Sequence, residues 1–144
     1  METEENLSMM NRKITLFTTA FAGLMDSATG ILLMLSPAFT MSLMGIEAVY
    51  QEDIFIRFVG GFVFGVGSTY LLGLMSVVRG CGWRELRVVW KMTAWVRLVI
   101  LLFTSVAILS GSLSADWFGV PLTDGALACF QIFWIITGRF PGKD

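Results

Sequence analysis

Four long apolar stretches, separated by short polar segments, dominate the chain. A membrane-spanning helix needs about 20 mostly apolar residues, and the stretches at residues 14–35, 54–78, 88–109 and 121–138 are about that long. Pro37 follows the first stretch and Pro121 opens the fourth, positions at which proline ends or starts a helix. The pattern therefore predicts four transmembrane helices.

The connections between these stretches are short, which favours antiparallel neighbours. We therefore predict an all-α, polytopic four-helix transmembrane bundle that forms a single domain over residues 1–144. Residues 1–11 are polar and acidic, and the sequence leaves open whether they form an interfacial helix or a flexible tail. The first stretch continues well past Ala20-Phe21-Ala22, so we expect a retained helix rather than a cleaved signal peptide.

Basic residues mark one side of the predicted bundle. Residues 36–53 and 111–120 contain no lysine or arginine. The other connection and the two terminal segments carry Arg12, Lys13, Arg79, Arg84, Arg87, Lys91, Arg139 and Lys143. Because positive loops stay inside, this bias predicts cytoplasmic N and C termini in a multi-pass membrane protein. Trp83 and Trp90 are predicted as aromatic anchors at the same boundary.

Composition excludes several classes of function. Apolar residues make up 56% of the 144 positions, charged residues 15%, and the formal net charge is −1. These values do not fit a soluble globular domain, a disordered chain or a nucleic-acid binder. The chain has no histidine and only two cysteines, Cys81 and Cys129. The commonest metal and haem ligands and the usual general base are therefore missing, and we predict no metal, no cofactor and no catalytic set.

Four ionisable residues interrupt the apolar stretches: Asp26, Arg57, Arg97 and Asp124. A charge within a span costs at least ~2.5 kcal/mol on insertion scales, so such residues normally face the interior and find partners. Counted from the span ends, Asp26 and Arg97 differ in depth by about 3–5 Å at ~1.5 Å per residue. We predict a deep Asp26–Arg97 pair and an outer Arg57–Asp124 pair, with Asp53 competing for Arg57.

Small and polar residues recur at helical spacing around these charges. They include Thr19, Gly23 and Thr29 in the first span, Ser68 in the second, Thr93 and Thr104 in the third, and Ala128 and Gln131 in the fourth. The polar faces can therefore converge on one axis. Two interpretations stay open: structural ion pairs that hold the bundle together, or a ligand or ion site built from Asp26, Arg57, Arg97, Asp124 and Gln131.

Glycines cluster in the second span. Gly60, Gly61 and Gly65 include a Gly-x-x-x-Gly pattern inside an apolar stretch. A nucleotide-binding loop would need a preceding strand, so the pattern indicates close helix packing, within the chain or between subunits.

A family resemblance covers most of the chain. It is carried by Gly30-Ile31-Leu32 through Pro37 and Gly45, by Ile56-Arg57-Phe58-Val59-Gly60-Gly61 with Gly65, and by Trp95 and Arg97. With this pattern the chain resembles the small bacterial four-span membrane proteins called DoxX-like, which include relatives of unknown function. The resemblance implies a four-helix bundle in the bacterial cytoplasmic (inner) membrane. For some members it also implies a partner role in quinone or thiol oxidation.

Three hypotheses of function follow. The first is a non-enzymatic subunit, accessory or scaffold component of a membrane assembly, in contact with membrane lipid and with a homo-oligomer or larger complex as its partners. The second is a carrier, channel or receptor for a small anion or amphiphile that uses the intramembrane Arg and Asp residues. The third is a quinone-linked oxidoreductase partner.

Overall fold

The computed structural model describes residues 2–46, 53–80 and 82–142, and this part of the chain is almost entirely helical. The elements are α1 (Glu2–Leu35), α2 (Pro37–Leu43), α3 (Asp53–Val78), α4 (Trp83–Leu109), a 3-10 turn (Ala115–Phe118) and α5 (Gly119–Ile136). Four helices are long and apolar enough to cross a membrane.

The helix ends follow local chemistry. Helices α1, α3 and α4 end at the predicted residues 35, 78 and 109, whereas α5 ends at Ile136. After α4, Gly111 adopts a φ of 71°, and the amide of Leu113 donates to the carbonyl of Ala107 at 3.0 Å. A positive φ suits glycine because it has no Cβ, which makes it the usual residue just past a helix C-terminus.

The helices extend beyond the predicted stretches at several points, and α4, for example, begins at Trp83 rather than at residue 88. Helix α1 begins at Glu2, so the N-terminal segment continues the first span as one helix of 34 residues. Helix α2, within the segment expected to be a connection, starts with Pro37 in its first turn, where a missing N–H costs nothing. Its Met41 packs against Leu33 and Ile46, which holds α2 against the end of α1.

The bundle consists of two helix pairs. Helix α1 packs most extensively on α3, and α4 packs on α5. Between the pairs, only α3 and α4 bring their main chains close together among the described residues, while α1 reaches α4 and α5 through side chains. A polar interface therefore has room to form between α1 and the α4–α5 pair.

Glycines allow the close α1–α3 contact. A Cβ built on Gly30 would lie 2.4 Å from the amide nitrogen of Phe64, and one on Gly60 would lie 2.8 Å from the carbonyl oxygen of Gly30. No side chain fits where two backbones approach so closely. Gly61 and Gly65 face the other way, since a Cβ at either would meet no atom within 4 Å.

The distribution of side chains is that of a membrane protein. Large apolar residues such as Phe17, Leu72 and Leu102 are exposed, at 73%, 62% and 67%. The buried set instead contains many polar and charged residues: Thr15, Thr19, Asp26, Ser27, Thr40, Thr93, Arg97, Thr104 and Gln131. Water would not solvate such an exterior, whereas lipid would. Together with the four long apolar helices, this identifies the chain as an integral membrane protein.

Candidate functional site

Arg97 lies at the centre of the polar interior, with 4% of its side chain exposed. One terminal nitrogen donates to Oδ2 of Asp26 on α1 and the other to Oδ1 of Asp124 on α5. Its Nε donates to the hydroxyl of Tyr70 on α3 at 3.3 Å. All four long helices therefore meet at one guanidinium, whose planar, rigid donors suit two carboxylates.

The structure pairs Asp26 with Arg97, as the depth argument predicted. The prediction of an Arg57–Asp124 pair is wrong, because Asp124 binds Arg97 instead. The depth of Asp124 in the membrane was predicted by counting residues from Pro121, but the helical segment that contains Asp124 begins at Ala115. Asp124 therefore lies nine residues inside its segment, as Asp26 lies nine residues inside the end of α1 (124 − 115 and 35 − 26). The two carboxylates reach the same depth.

Arg57 lies at a different position in the bundle. Its guanidinium donates to the main-chain carbonyls of Met34 and Leu35 in the last turn of α1, the second at 3.3 Å. A cation is favourable there because the last carbonyls of a helix lack intrahelical partners and carry partial negative charge. The side chain of Asp53, the predicted competitor, lies outside the described residues. Arg57 thus stabilises the end of α1, eight to nine residues from Asp26 along the helix (34 − 26 and 35 − 26).

A second polar group lies beside Arg97. Gln131 on α5 is 1% exposed, and its Nε2 donates to the Tyr70 hydroxyl at 2.8 Å and to Oγ1 of Thr93 at 3.3 Å. Its Oε1 is buried with no hydrogen-bond partner in the described part of the chain. Exchanging the amide nitrogen and oxygen would move the unpartnered position to the nitrogen. Either orientation leaves hydrogen-bonding capacity for one more polar group.

Tyr70 is a residue of the site that was not predicted from the sequence. It is 1% exposed and joins Arg97 to Gln131. A signal was present, because Gly60 and Gly67 are seven residues apart and face α1. Tyr70 follows Gly67 by three residues and so falls on a nearby helix face. A tyrosine buried among apolar side chains usually finds a partner for its hydroxyl.

Two tryptophans extend the polar interface away from Arg97. The indole of Trp90 donates to Oγ1 of Thr19 at 2.9 Å, and that of Trp134 donates to Oγ1 of Thr15 at 3.0 Å. Trp90 is 0% exposed, so the prediction that it anchors the membrane boundary is wrong. Its ring belongs to the interior because the indole N–H bonds a hydroxyl of α1.

An apolar groove runs along the outer face of α3 and α4, with a volume of about 450 Å³. Its lining includes Phe58, Gly61, Phe62, Gly65, Met92 and Thr93. At the two lining glycines a Cβ would meet no atom within 4 Å, so a side chain there would extend into open space. Gly61 and Gly65 therefore lie at a lateral surface, whereas Gly60 lies at the α1–α3 contact.

The arrangement provides ion pairing and hydrogen bonding in the interior and a lateral groove on the outside. In residues 2–46, 53–80 and 82–142, no group of three or more His, Cys, Asp or Glu side chains could hold a metal ion. Two carboxylates and one guanidinium carry a formal charge of −1 when all three are ionised.

Comparison with protein-family models, curated proteins and solved structures finds no match to this chain. The DoxX-like resemblance therefore stays a prediction.

Proposed function

We propose that the protein is a non-catalytic component of a membrane assembly, and that it associates with a second copy of itself through the α3–α4 groove. One observation carries the proposal. Both carboxylates that face the centre of the bundle bind Arg97. These ion pairs hold α1, α4 and α5 together. Association with another protein would then take place at the outer surface of the bundle.

The glycines of the groove support a helix as its occupant. A glycine inside a helix costs about 1 kcal/mol relative to alanine. At Gly60 the contact with α1 accounts for this cost, but at Gly61 and Gly65 nothing within the described chain does. A helix that approaches the backbone closely at these two positions would account for it.

The same face also carries projecting side chains. Phe58 and Phe62 are 65% and 64% exposed, and their rings form an edge-to-face pair at 4.9 Å. A surface with both a groove and projections can pair with itself about a two-fold axis, because each copy supplies what the other lacks. This favours a second copy as the first partner.

Filling the groove tests this proposal. Gly61→Leu and Gly65→Leu add side chains where a Cβ meets no atom, so the fold is kept while the groove is filled. Gly119→Leu is the matched control, since Gly119 is equally open but lies outside the groove lining. Single-molecule photobleaching in lipid vesicles should give dimers for the unsubstituted chain and the control, and monomers for the groove variants. Monomers of the unsubstituted chain at every dilution would refute the proposal.

We also propose an up-down-up-down bundle in the bacterial cytoplasmic membrane, with both termini inside. The support is the positive-inside bias of the sequence and the DoxX-like resemblance. Membrane-impermeant thiol labelling in intact cells, on a background with Cys81 and Cys129 replaced, tests the topology. Ser8→Cys should be protected and Ser112→Cys should react. The opposite labelling pattern would invert the proposed orientation.

A second candidate function is a receptor or carrier for an amphiphile. The observation in its favour is the groove, whose apolar lining includes the buried hydroxyl-bearing Thr93 beside Gln131. A quinone is one such amphiphile and would correspond to the redox-partner hypothesis. Titration with a short-chain quinone should then quench tryptophan fluorescence in the unsubstituted chain but not in Gly65→Leu. A small anion is a poorer fit, because Arg97 is occupied by two carboxylates.

A further inference from the structure

We propose that one end of the bundle binds the headgroup of an anionic phospholipid. The site is a basic collar, defined as Arg12, Trp83, Arg87, Arg139 and Phe140. It is independent of the α3–α4 groove, because none of these residues lines that groove.

Aromatic contacts bring three parts of the chain together in the collar. The guanidinium carbon of Arg12 on α1 lies 5.8 Å from the centre of the Trp83 ring at the start of α4. The Trp83 and Phe140 rings meet edge to face at 6.4 Å. The guanidinium carbon of Arg87 on α4 lies 5.3 Å from the centre of the Phe140 ring. The contacts place cations from α1 and α4 around one aromatic pair.

The arginines of the collar lack anionic partners in the described part of the chain. Arg87 donates to the carbonyls of Pro141 and Gly142 at 3.1 and 2.7 Å, and its Nε is buried without a hydrogen-bond partner. Arg139 lies over the rings of Phe133 and Trp134 at 5.3 and 5.6 Å. Arg97 differs, because it has two carboxylates. Rings and carbonyls hold these arginines, and no carboxylate of residues 2–46, 53–80 or 82–142 compensates their charge.

The surroundings of the collar favour a lipid as the source of the negative charge. Val88, next to Arg87 in sequence, is 54% exposed, and Ile136, shortly before Arg139, is 74% exposed. Glu85 is the described carboxylate nearest to Arg87 in sequence, but among the described residues it forms no ion pair with an arginine of the collar. A ligand for this surface must therefore present a negative group beside an apolar chain. A phospholipid with a net negative headgroup has both, whereas free phosphate has only the first.

Lipid binding to the full chain tests the collar. Native mass spectrometry of the detergent-solubilised protein should show phosphatidylglycerol bound at least tenfold more tightly than phosphatidylcholine. Each arginine that the collar holds at the headgroup contributes a factor of about five, so Arg12→Gln/Arg139→Gln should lose about 25-fold for phosphatidylglycerol. Arg12→Lys, which keeps the charge but loses planar stacking, should bind more weakly than the unsubstituted chain.

Lys13→Gln is the matched control, because it removes one exposed charge next to Arg12 without removing a ring contact. It should lose less affinity than Arg12→Gln. Glycerol 3-phosphate should not displace the lipid at equal concentration, and displacement would indicate a free-phosphate site instead. Equal affinity for the two lipids, or an unchanged preference in a folded double variant, would overturn the proposal. The same spectra report the oligomeric state, so a failure of lipid binding is distinguishable from a failure of self-association.

Discussion

Arg97 on α4 and Asp124 on α5 form an ion pair inside the bundle, and the same guanidinium binds Asp26 on α1. The arginine is therefore the shared member of two ion pairs, so the three side chains do not contribute equally. Loss of either carboxylate leaves Arg97 with one counter-ion. Loss of Arg97 leaves the buried carboxylate of Asp26 and the partly buried one of Asp124 without the cation they share.

Thermal stability in detergent should follow this order. Removing one partner of a buried ion pair costs about 3–5 kcal/mol, and we expect Arg97→Gln to fall in this range, with Asp26→Asn and Asp124→Asn costing less. The double variant Asp26→Asn/Arg97→Gln should recover part of the Arg97→Gln loss, because fewer uncompensated charges remain buried. A thermal unfolding series with the exposed Ser112→Ala as control checks this. Equal stability of Arg97→Gln and the control would contradict the central role of Arg97.

Alanine substitutions at the neighbouring glycines Gly60 and Gly61 of α3 should change the stability of the protein in opposite directions. Gly60→Ala places a methyl group 2.8 Å from the Gly30 carbonyl, where the backbone must move, so stability should fall. Gly61→Ala meets nothing and replaces a poor helix former, so stability in the monomer should rise by up to about 1 kcal/mol. Denaturation of both variants side by side gives the measurement. A loss of similar size in both would mean that Gly61 is packed as tightly as Gly60.

The hydrogen bond between Trp90 and Thr19 should have a measurable effect on stability. Trp90→Phe removes the indole donor from the Thr19 hydroxyl and should destabilise the protein by about 1 kcal/mol or more. Trp95→Phe is the matched control, since Trp95 lies on the same helix but is 67% exposed. A double-mutant cycle with Thr19→Val separates the hydrogen bond from the change in packing. Zero coupling between the two positions would show that the bond adds nothing.

Arg87 should hold the C-terminal segment against α4. Its two hydrogen bonds reach Pro141 and Gly142, so Arg87→Gln should release this segment and increase its cleavage by carboxypeptidase. The helices should stay intact, and circular dichroism should be unchanged. Arg84→Gln, an exposed arginine on the same turn, is the control. Equal cleavage of the two variants would exclude this role of Arg87.

The sequence was sufficient to predict where α1, α3 and α4 end, because these ends depend on local residues. Each of these helices is followed directly by a pair of residues that contains proline or glycine: Ser36-Pro37 after α1, Arg79-Gly80 after α3 and Ser110-Gly111 after α4. The Asp26–Arg97 pair was also accessible, since both residues lie in long spans whose depth can be counted. The start of the fourth span was harder to place, because the helical segment already begins at Ala115, six residues before Pro121. That difference gave Asp124 the wrong partner.

Other features depend on tertiary contacts that no local pattern specifies. Tyr70 looks like one more aromatic residue of an apolar span until α4 and α5 are placed beside it. The separate roles of Gly60 and Gly61 depend on which side of α3 faces α1. Helical spacing places the two residues about 100° apart but does not say which one is covered.

The division into two helix pairs has a consequence for how the chain can be cut. Each pair has close main-chain contacts of its own, and in the described part of the chain α1 meets α4 and α5 through side chains alone. The covalent link between α3 and α4 is then not needed for the two pairs to recognise each other. Two polypeptides produced separately, one ending near Gly80 and the other starting near Gly82, carry matching donors and acceptors and should reassemble in the same bilayer. Arg97, Trp90 and Trp134 would supply the donors by which the halves recognise each other.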